Sequence, residues 1–359
     1  MHDNINRAAS QAPELRDARY KRRAADIIAP WLDKHLSPAQ RDRYRHCGDY
    51  LVYLEDDARE HRKLDVGYFC GVRLCPGCAW RQSVRSAQRV AAIAAKLADE
   101  GRVMLMVTLT VPNVPADQLR AEIRHINRSW HKLMRRQRYA VWADYVRKLE
   151  ITYNRGRDDY HPHIHAVIFV RPGYLSGRQY ISQQQLLADW REVTGMPQIT
   201  QVDVRRCRDR GKSSAVLEVA KYSAKASDYS QSEQVLDAMY TALHHTRLMD
   251  YAGQCKQLSA TYDDGQLADY EQLDTVRYTM RVVYVWQRLQ DGSWSYCEHD
   301  AQQYNMDAAE LARLQRDEER AAAYALAAAE RQNSWSRWMR TDWVRELRAA
   351  DAAELEVIE

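Results

Sequence analysis

The spacing of hydrophobic and polar positions changes period several times along this chain, and each change marks an element. From Pro13 to His46 the apolar positions Leu15, Ala25, Ile27, Ile28, Trp31, Leu32 and Leu36 stand among Arg and Lys at helical spacing, and Ser37-Pro38 restarts a second helix as N-cap and first helical residue. Arg81 to Leu97 is an Ala-rich helical stretch. After Gly101, the continuously apolar run Val103 to Val111 has the character of a central strand and ends at Pro112-Asn113. Residues 116–138 return to the helical period, Val146 to Tyr153 reads as a second strand, residues 154–159 as a hairpin loop and residues 160–170 as a third strand. Ser182 caps a helix that stops at Gly195, and Gln198 to Arg206 forms a fourth strand.

The order β-α-β-β-α-β is the split βαβ arrangement, so the predicted fold class is α+β: a ferredoxin-like antiparallel sheet with flanking helices. In that topology the first and third strands lie side by side at the sheet centre. A cysteine-rich segment precedes the sheet. After it, Tyr278–Leu289 and Trp294–Cys297 form a hairpin, and residues 306–359 a helical tail whose Trp335, Trp338 and Trp343 suit docking on the body or on another copy. The expected division is N-terminal helices at 1–46, the cysteine-rich segment at 47–98, the sheet domain at 99–260, a hairpin region at 261–300 and an acidic helical tail at 301–359.

Composition narrows the function classes. The chain has 359 residues, 45% of them hydrophobic, enough for a sizeable core. Its net charge of +4 is uneven, because the last 59 residues hold twelve acidic and eight basic side chains and leave +8 on the body. A basic body with an acidic tail suits a polyanion-binding protein. Seven cysteines, four of them between positions 47 and 78, argue against a secreted disulfide framework. The N-terminus lacks a signal-peptide pattern and no apolar run approaches the ~18 residues of a membrane span. A cytoplasmic location without a membrane partner is expected.

The candidate chemistry sits on these elements. His161, His163 and His165 alternate on the third strand and so share one sheet face. Two imidazoles on a rigid strand are divalent-metal ligands that leave open positions. The hairpin brings Glu150 of the second strand within reach as a further ligand, leaving Glu150 and His161 as alternatives for the third position. Cys47, Cys70, Cys75 and Cys78, the last pair spaced Cys-Pro-Gly-Cys, suit a closed structural zinc shell, with His46 or His61 as substitutes for one sulfur. Arg120, Arg124, Arg128, Lys132 and Arg136 recur every fourth residue, a like-charged stripe that a phosphate backbone would offset. Gly211-Lys212-Ser213 opens a helix but lacks the first glycine of a P-loop, where Arg206 stands. Lys212 can still hold a DNA phosphate there. On the helix that follows, Glu218 and Tyr222 are four apart and Tyr222 and Lys225 three apart, placing carboxylate, phenol and ammonium on one face.

Taken together and in order, these motifs resemble the replication initiator (Rep) proteins of rolling-circle plasmids, members of the HUH endonuclease superfamily, over roughly residues 45–260. Phe69 to Arg81 looks like the family's cysteine segment, Leu105 to Asn113 its first motif, His163-Ile164-His165 the His-hydrophobic-His motif and Tyr222-Ser223-Ala224-Lys225 the Tyr-x-x-Lys motif. Arg247 to Gly253 is similar to a segment that follows the nucleophile. Glu218 resembles the subgroup that terminates with a glutamate. The resemblance implies a Mg2+- or Mn2+-dependent nickase with a structural Zn2+. It binds plasmid origin DNA, single-stranded or in a hairpin, joins Tyr222 to the 5′ phosphate, and leaves a 3′-OH for host helicase and polymerase. Lys225 would stabilise charge in that step, and Glu218 would activate the water or hydroxyl of termination. A relaxase or transposase of the same superfamily, and a non-catalytic sequence-specific DNA-binding regulator, are the competing expectations.

Overall fold

The computed structural model describes residues 12–207, 215–220 and 223–329. In chain order its elements are helices α1 (Pro13–Leu32) and α2 (Pro38–Arg45), strands β1 (Tyr50–Glu55) and β2 (Arg62–Gly67), helix α3 (Pro76–Asp99), strand β3 (Val103–Thr110) and helix α4 (Ala116–Met134). Then come strands β4 (Asp144–Asn154) and β5 (Asp159–Val170), helix α5 (Gln183–Thr194), strand β6 (Val202–Arg206), and helices α6 (Ala215–Ala220), α7 (Ala226–Tyr229) and α8 (Glu233–Leu243). Strand β7 (Met249–Ala252), helix α9 (Gly253–Tyr262), strands β8 (Met280–Arg288) and β9 (Trp294–Gln303), and helix α10 (Ala308–Ala329) complete them. Contacts divide the described chain into two units, one of residues 12–81 and 273–329, the other of residues 82–272. The three tail tryptophans and Lys212 lie outside the described residues.

In the first unit the sheet order is β2-β1-β8-β9, all antiparallel. The hairpin expected at 278–297 forms, and its strand β8 pairs with β1, so that it joins two strands, β1 and β2, to which the sequence analysis assigns no element. Leu15 of α1 packs with Leu51, Tyr53, Val282, Tyr284, Trp286 and Tyr296 on one face. Glu55 is fully buried there and is compensated by Arg62 at 2.8 Å and the Tyr284 hydroxyl at 2.7 Å. The Tyr296 hydroxyl donates to the Gly48 carbonyl at 2.7 Å, which fixes the loop carrying Cys47.

The second unit has the predicted ferredoxin-like sheet, β6-β3-β5-β4, extended by β7 along the β4 edge. All pairs are antiparallel, and β5 lies between β3 and β4. One sheet face is apolar: Val107, Leu109, Leu149, Ile151, Ile164, Ala166 and Ile168 are buried. Helix α4 covers that face, with Trp130 edge-on to Tyr145 and 5.9 Å from the Arg147 guanidinium, and Arg147 donating to Asn127 at 2.7 Å. Sequence caps hold: Ser182 accepts from Gln185 N at 3.1 Å, Gly195 closes α5 in the left-handed region, and Ser37 with Gln40 forms a capping box on α2. Helix α4 stops at Met134, four residues short of expectation.

Candidate active site

The β-ladder register aligns the chemistry. Glu150 pairs with His163 and Thr110 pairs with His163 from the other side, while Lys148 and Thr108 flank His165 in the same way. Paired residues share a face, so these six side chains project from the sheet opposite to α4. Nε2 of His163 lies 3.7 Å and Nε2 of His165 3.5 Å from the same Glu150 oxygen, Oε2. Ligand atoms around one ion at 2.0–2.2 Å stand about 3.0–3.4 Å apart, so the three groups have nearly the spacing of a shared ion.

Three further observations fit a cation there. Glu150 Oε2 is buried and makes no hydrogen bond of its own. Burial pushes the Glu150 carboxyl up, but the His163 imidazole beside it and the charges of His163, Lys148 and His165 outweigh it and bring it down to about 2. Each imidazole is also oriented from behind: His163 Nδ1 donates to the His161 carbonyl at 3.1 Å, and His165 Nδ1 lies 3.1 Å from the Thr108 hydroxyl. Such bonds hold both Nε2 lone pairs toward Glu150. His161 is the neighbour of this group rather than part of it; its ring is 5.2 Å from that of His163, and the three ligand atoms within 4.8 Å of one another belong to Glu150, His163 and His165. Burial, then the positive charge of His163, lowers its imidazole pKa.

The segment expected to carry the nucleophile differs from a continuous helix. Helix α6 is described from Ala215 to Ala220, and Lys225 has extended rather than helical backbone and caps α7. The reason is competition for backbone groups. The Ser223 carbonyl accepts from Ile151 N at 2.8 Å, next to Glu150 on β4, and the Lys225 carbonyl accepts from Asp228 N at 3.0 Å. Ser223 is thereby held beside the carboxylate strand. Tyr222 itself lies outside the described residues, and Glu218 falls within α6.

The basic stripe survives in part. Arg120, Arg124, Arg128 and Lys132 are exposed along α4 and, among the described residues, make no ion pair. Arg136 does not join them: it lies past the helix end and pairs with Asp189 at 2.8 Å and Glu192 at 2.7 Å. Because α4 covers the opposite sheet face, the stripe is turned away from the Glu150 centre.

Four of the five cysteines of the first unit, Cys47, Cys70, Cys75 and Cys78, converge, and Cys297 is not among them. Cys47 Sγ is 3.5 Å from Cys75 Sγ and 3.6 Å from Cys78 Sγ, and Cys70 and Cys78 are 3.6 Å apart. A tetrahedral zinc with bonds of 2.3 Å places its sulfurs about 3.8 Å apart, so the set fits. Backbone N–H groups of Cys70, Gly71 and Val72 point at these sulfurs, as thiolates require. Neighbouring thiols donating to Cys78 hold it far below the ordinary thiol range and force Cys75 up, so without a cation the four cannot all ionise. His46 and His61 do not replace a sulfur; they pair with Asp49 and Asp56 at 2.8 Å each.

The periodicity of the strands revealed the histidines and Glu150 but not Thr108 or Lys148. Lys148 could have been found by counting outward from the β4–β5 hairpin, whereas Thr108 lies on β3, whose register against β5 no turn fixes.

A family of replication proteins matches residues 61–294, well over half of the chain. The chain belongs to this replication-protein family. Relatives named Protein rep include one from Staphylococcus aureus, 39% identical over 212 residues, covering 58% of this chain and 92% of the relative. Another, from Streptococcus pneumoniae serotype 2, is 33% identical over 244 residues, 66% of this chain and 75% of its own. A third, from Bacillus amyloliquefaciens, is 30% identical over 294 residues, 73% and 86% of the two chains. No solved structure matches the chain. The family membership that the motifs pointed to is thus borne out. No helix among the described residues is long and apolar enough to cross a membrane.

Proposed function

We propose that this protein initiates rolling-circle replication of a plasmid in the cytoplasm by nicking, and later rejoining, one strand of its origin DNA. The observation that carries the reading is the buried Glu150 with the two oriented imidazoles of His163 and His165, three candidate ligands gathered at one point. A Mg2+ or Mn2+ ion held there would polarise the scissile phosphate as a Lewis acid. Tyr222 then attacks phosphorus in line: the phenolic oxygen forms the new P–O bond, the bond to the 3′ oxygen breaks, and the phenolic proton passes to solvent as the 3′ oxygen gains one. Lys225 offsets the phenolate charge as the chain around Ser223 holds the segment against β4. Glu218 activates the water or hydroxyl that resolves the adduct at termination. Host helicase and polymerase use the freed 3′-OH. The four exposed cations of α4, and Lys212 outside the described residues, contact phosphates, and the four thiolates hold a structural Zn2+.

Supercoiled plasmid carrying the gene and its flanking DNA, incubated with the protein and Mn2+, should be relaxed and acquire a protein attached to one 5′ end. Binding without any nick would sink the reading and leave the DNA-binding regulator in its place.

A further inference from the structure

One buried charged group on the site face takes no part in the nicking steps. Lys148 precedes Glu150 by two residues on β4 and so projects to the same face. It stands opposite His165 in the ladder as Glu150 stands opposite His163, with Met249 of β7 on its other side. Only 3% of it is exposed, which is rare for lysine.

We propose that Lys148 couples metal binding to phosphate binding at the Glu150–His163–His165 centre. The proposal rests on the metal-centre reading above. With both imidazoles neutral, the Glu150 carboxylate and Lys148 ammonium cancel, so a divalent ion gives the cluster a double positive charge. A phosphodiester arriving on the ion's open side lowers it. Without the ammonium, the same ion meets a net negative cluster and leaves less positive charge to attract the phosphate. Lys148 therefore weakens the ion's affinity in the free protein and strengthens that of the ion-loaded protein for DNA. By linkage, DNA must tighten the ion by the same factor that the ion tightens DNA. Lys148 acts through the ligands and the ion's field, never touching the reacting atoms, which makes it a positioning residue.

The test is Mn2+ binding to the full, zinc-loaded chain in a Tyr222→Phe background, read by the spectroscopic signal of free Mn2+. It is run with and without a single-stranded oligonucleotide taken from the plasmid's cleaved strand. Lys148→Met should tighten Mn2+ on the order of tenfold in the absence of DNA and lose most of the tightening that DNA produces. Lys148→Arg should keep wild-type values of both. If Lys148→Met fails to fold by circular dichroism, Lys148→Gln compared with Lys148→Arg decides on the same readouts. Unchanged Mn2+ affinity and unchanged DNA dependence in the charge-removing variant overturn the proposal. His163→Ala separates the two levels: Mn2+ binding that survives it removes the metal-centre reading itself, whereas binding lost in His163→Ala but unaltered in the Lys148 variants removes the coupling alone.

Discussion

His163 and His165 depend on backbone and hydroxyl partners behind them, so removing either imidazole deletes a ligand without disturbing the ladder that holds β5. His163→Ala or His165→Ala should lower Mn2+-dependent nicking at least 100-fold while leaving origin binding in a gel-shift assay within about threefold. Weakened binding with unaltered cleavage would reverse the roles. Tyr222 and Glu218 separate in time. Tyr222→Phe should neither nick nor form a covalent adduct, whereas Glu218→Ala should nick, retain the adduct and release multimeric single strands in place of circles. A denaturing gel of labelled origin oligonucleotide distinguishes them, and a Glu218→Ala protein dead in the first nick would move that carboxylate to the nicking step. At this scale the sequence exposed whatever obeys a period of two. Glu150 was legible because a short hairpin fixes which residue faces His163. Lys225 was misplaced because helical spacing from Tyr222 takes no account of the Ser223 carbonyl being engaged by Ile151.

Among the elements, α4 shows how a surface can be read from periodicity while its place in the fold cannot. Its four unpaired cations recur as expected, but only the packing of Trp130 on Tyr145 reveals that they face away from the histidines. Replacing Arg124 and Arg128 with Gln should weaken binding of origin and unrelated DNA alike and reduce the slope of log affinity against log salt by about one per lost contact. An unchanged slope would return the stripe to a solvated surface. Strand β7 was invisible because four residues, Met249 to Ala252, carry no period and pair only through the β4 edge. The turn after it is demanding: Gly253 has φ +55°, and a Cβ there would meet the Asp144 carboxylate and lie 2.7 Å from the Ala143 carbonyl. Gly253→Ala should therefore cost about 1–3 kcal/mol in denaturant unfolding.

For the whole molecule, the zinc proposed for the four converging cysteines would belong to the folding free energy rather than to the chemistry. Cys75→Ser, or stripping by chelator, should lower the thermal midpoint by on the order of 10 °C while a short oligonucleotide is still cleaved in the cold. Protein purified without chelator that contains no zinc by elemental analysis would refute the assignment. Strand β2 escaped the sequence reading because Arg62, Lys63 and Asp65 make it polar, with Lys63 and Asp65 paired to Asp274 and Arg281 more than 200 residues away, and the other strand partner of β1, β8, is as distant.

That distance has a consequence for synthesis. Strand β1 leaves the ribosome early, but the strand that covers it, β8, begins at Met280, so at 5–20 residues per second the apolar side of Leu51 and Tyr53 waits roughly 10–50 s for its partner. All four cysteines of the proposed zinc site, by contrast, have been made by residue 78. On the zinc reading proposed above, the ion would clasp this segment while the second unit is still being made, and a cell short of zinc would lose the unfinished chain to aggregation or to proteases.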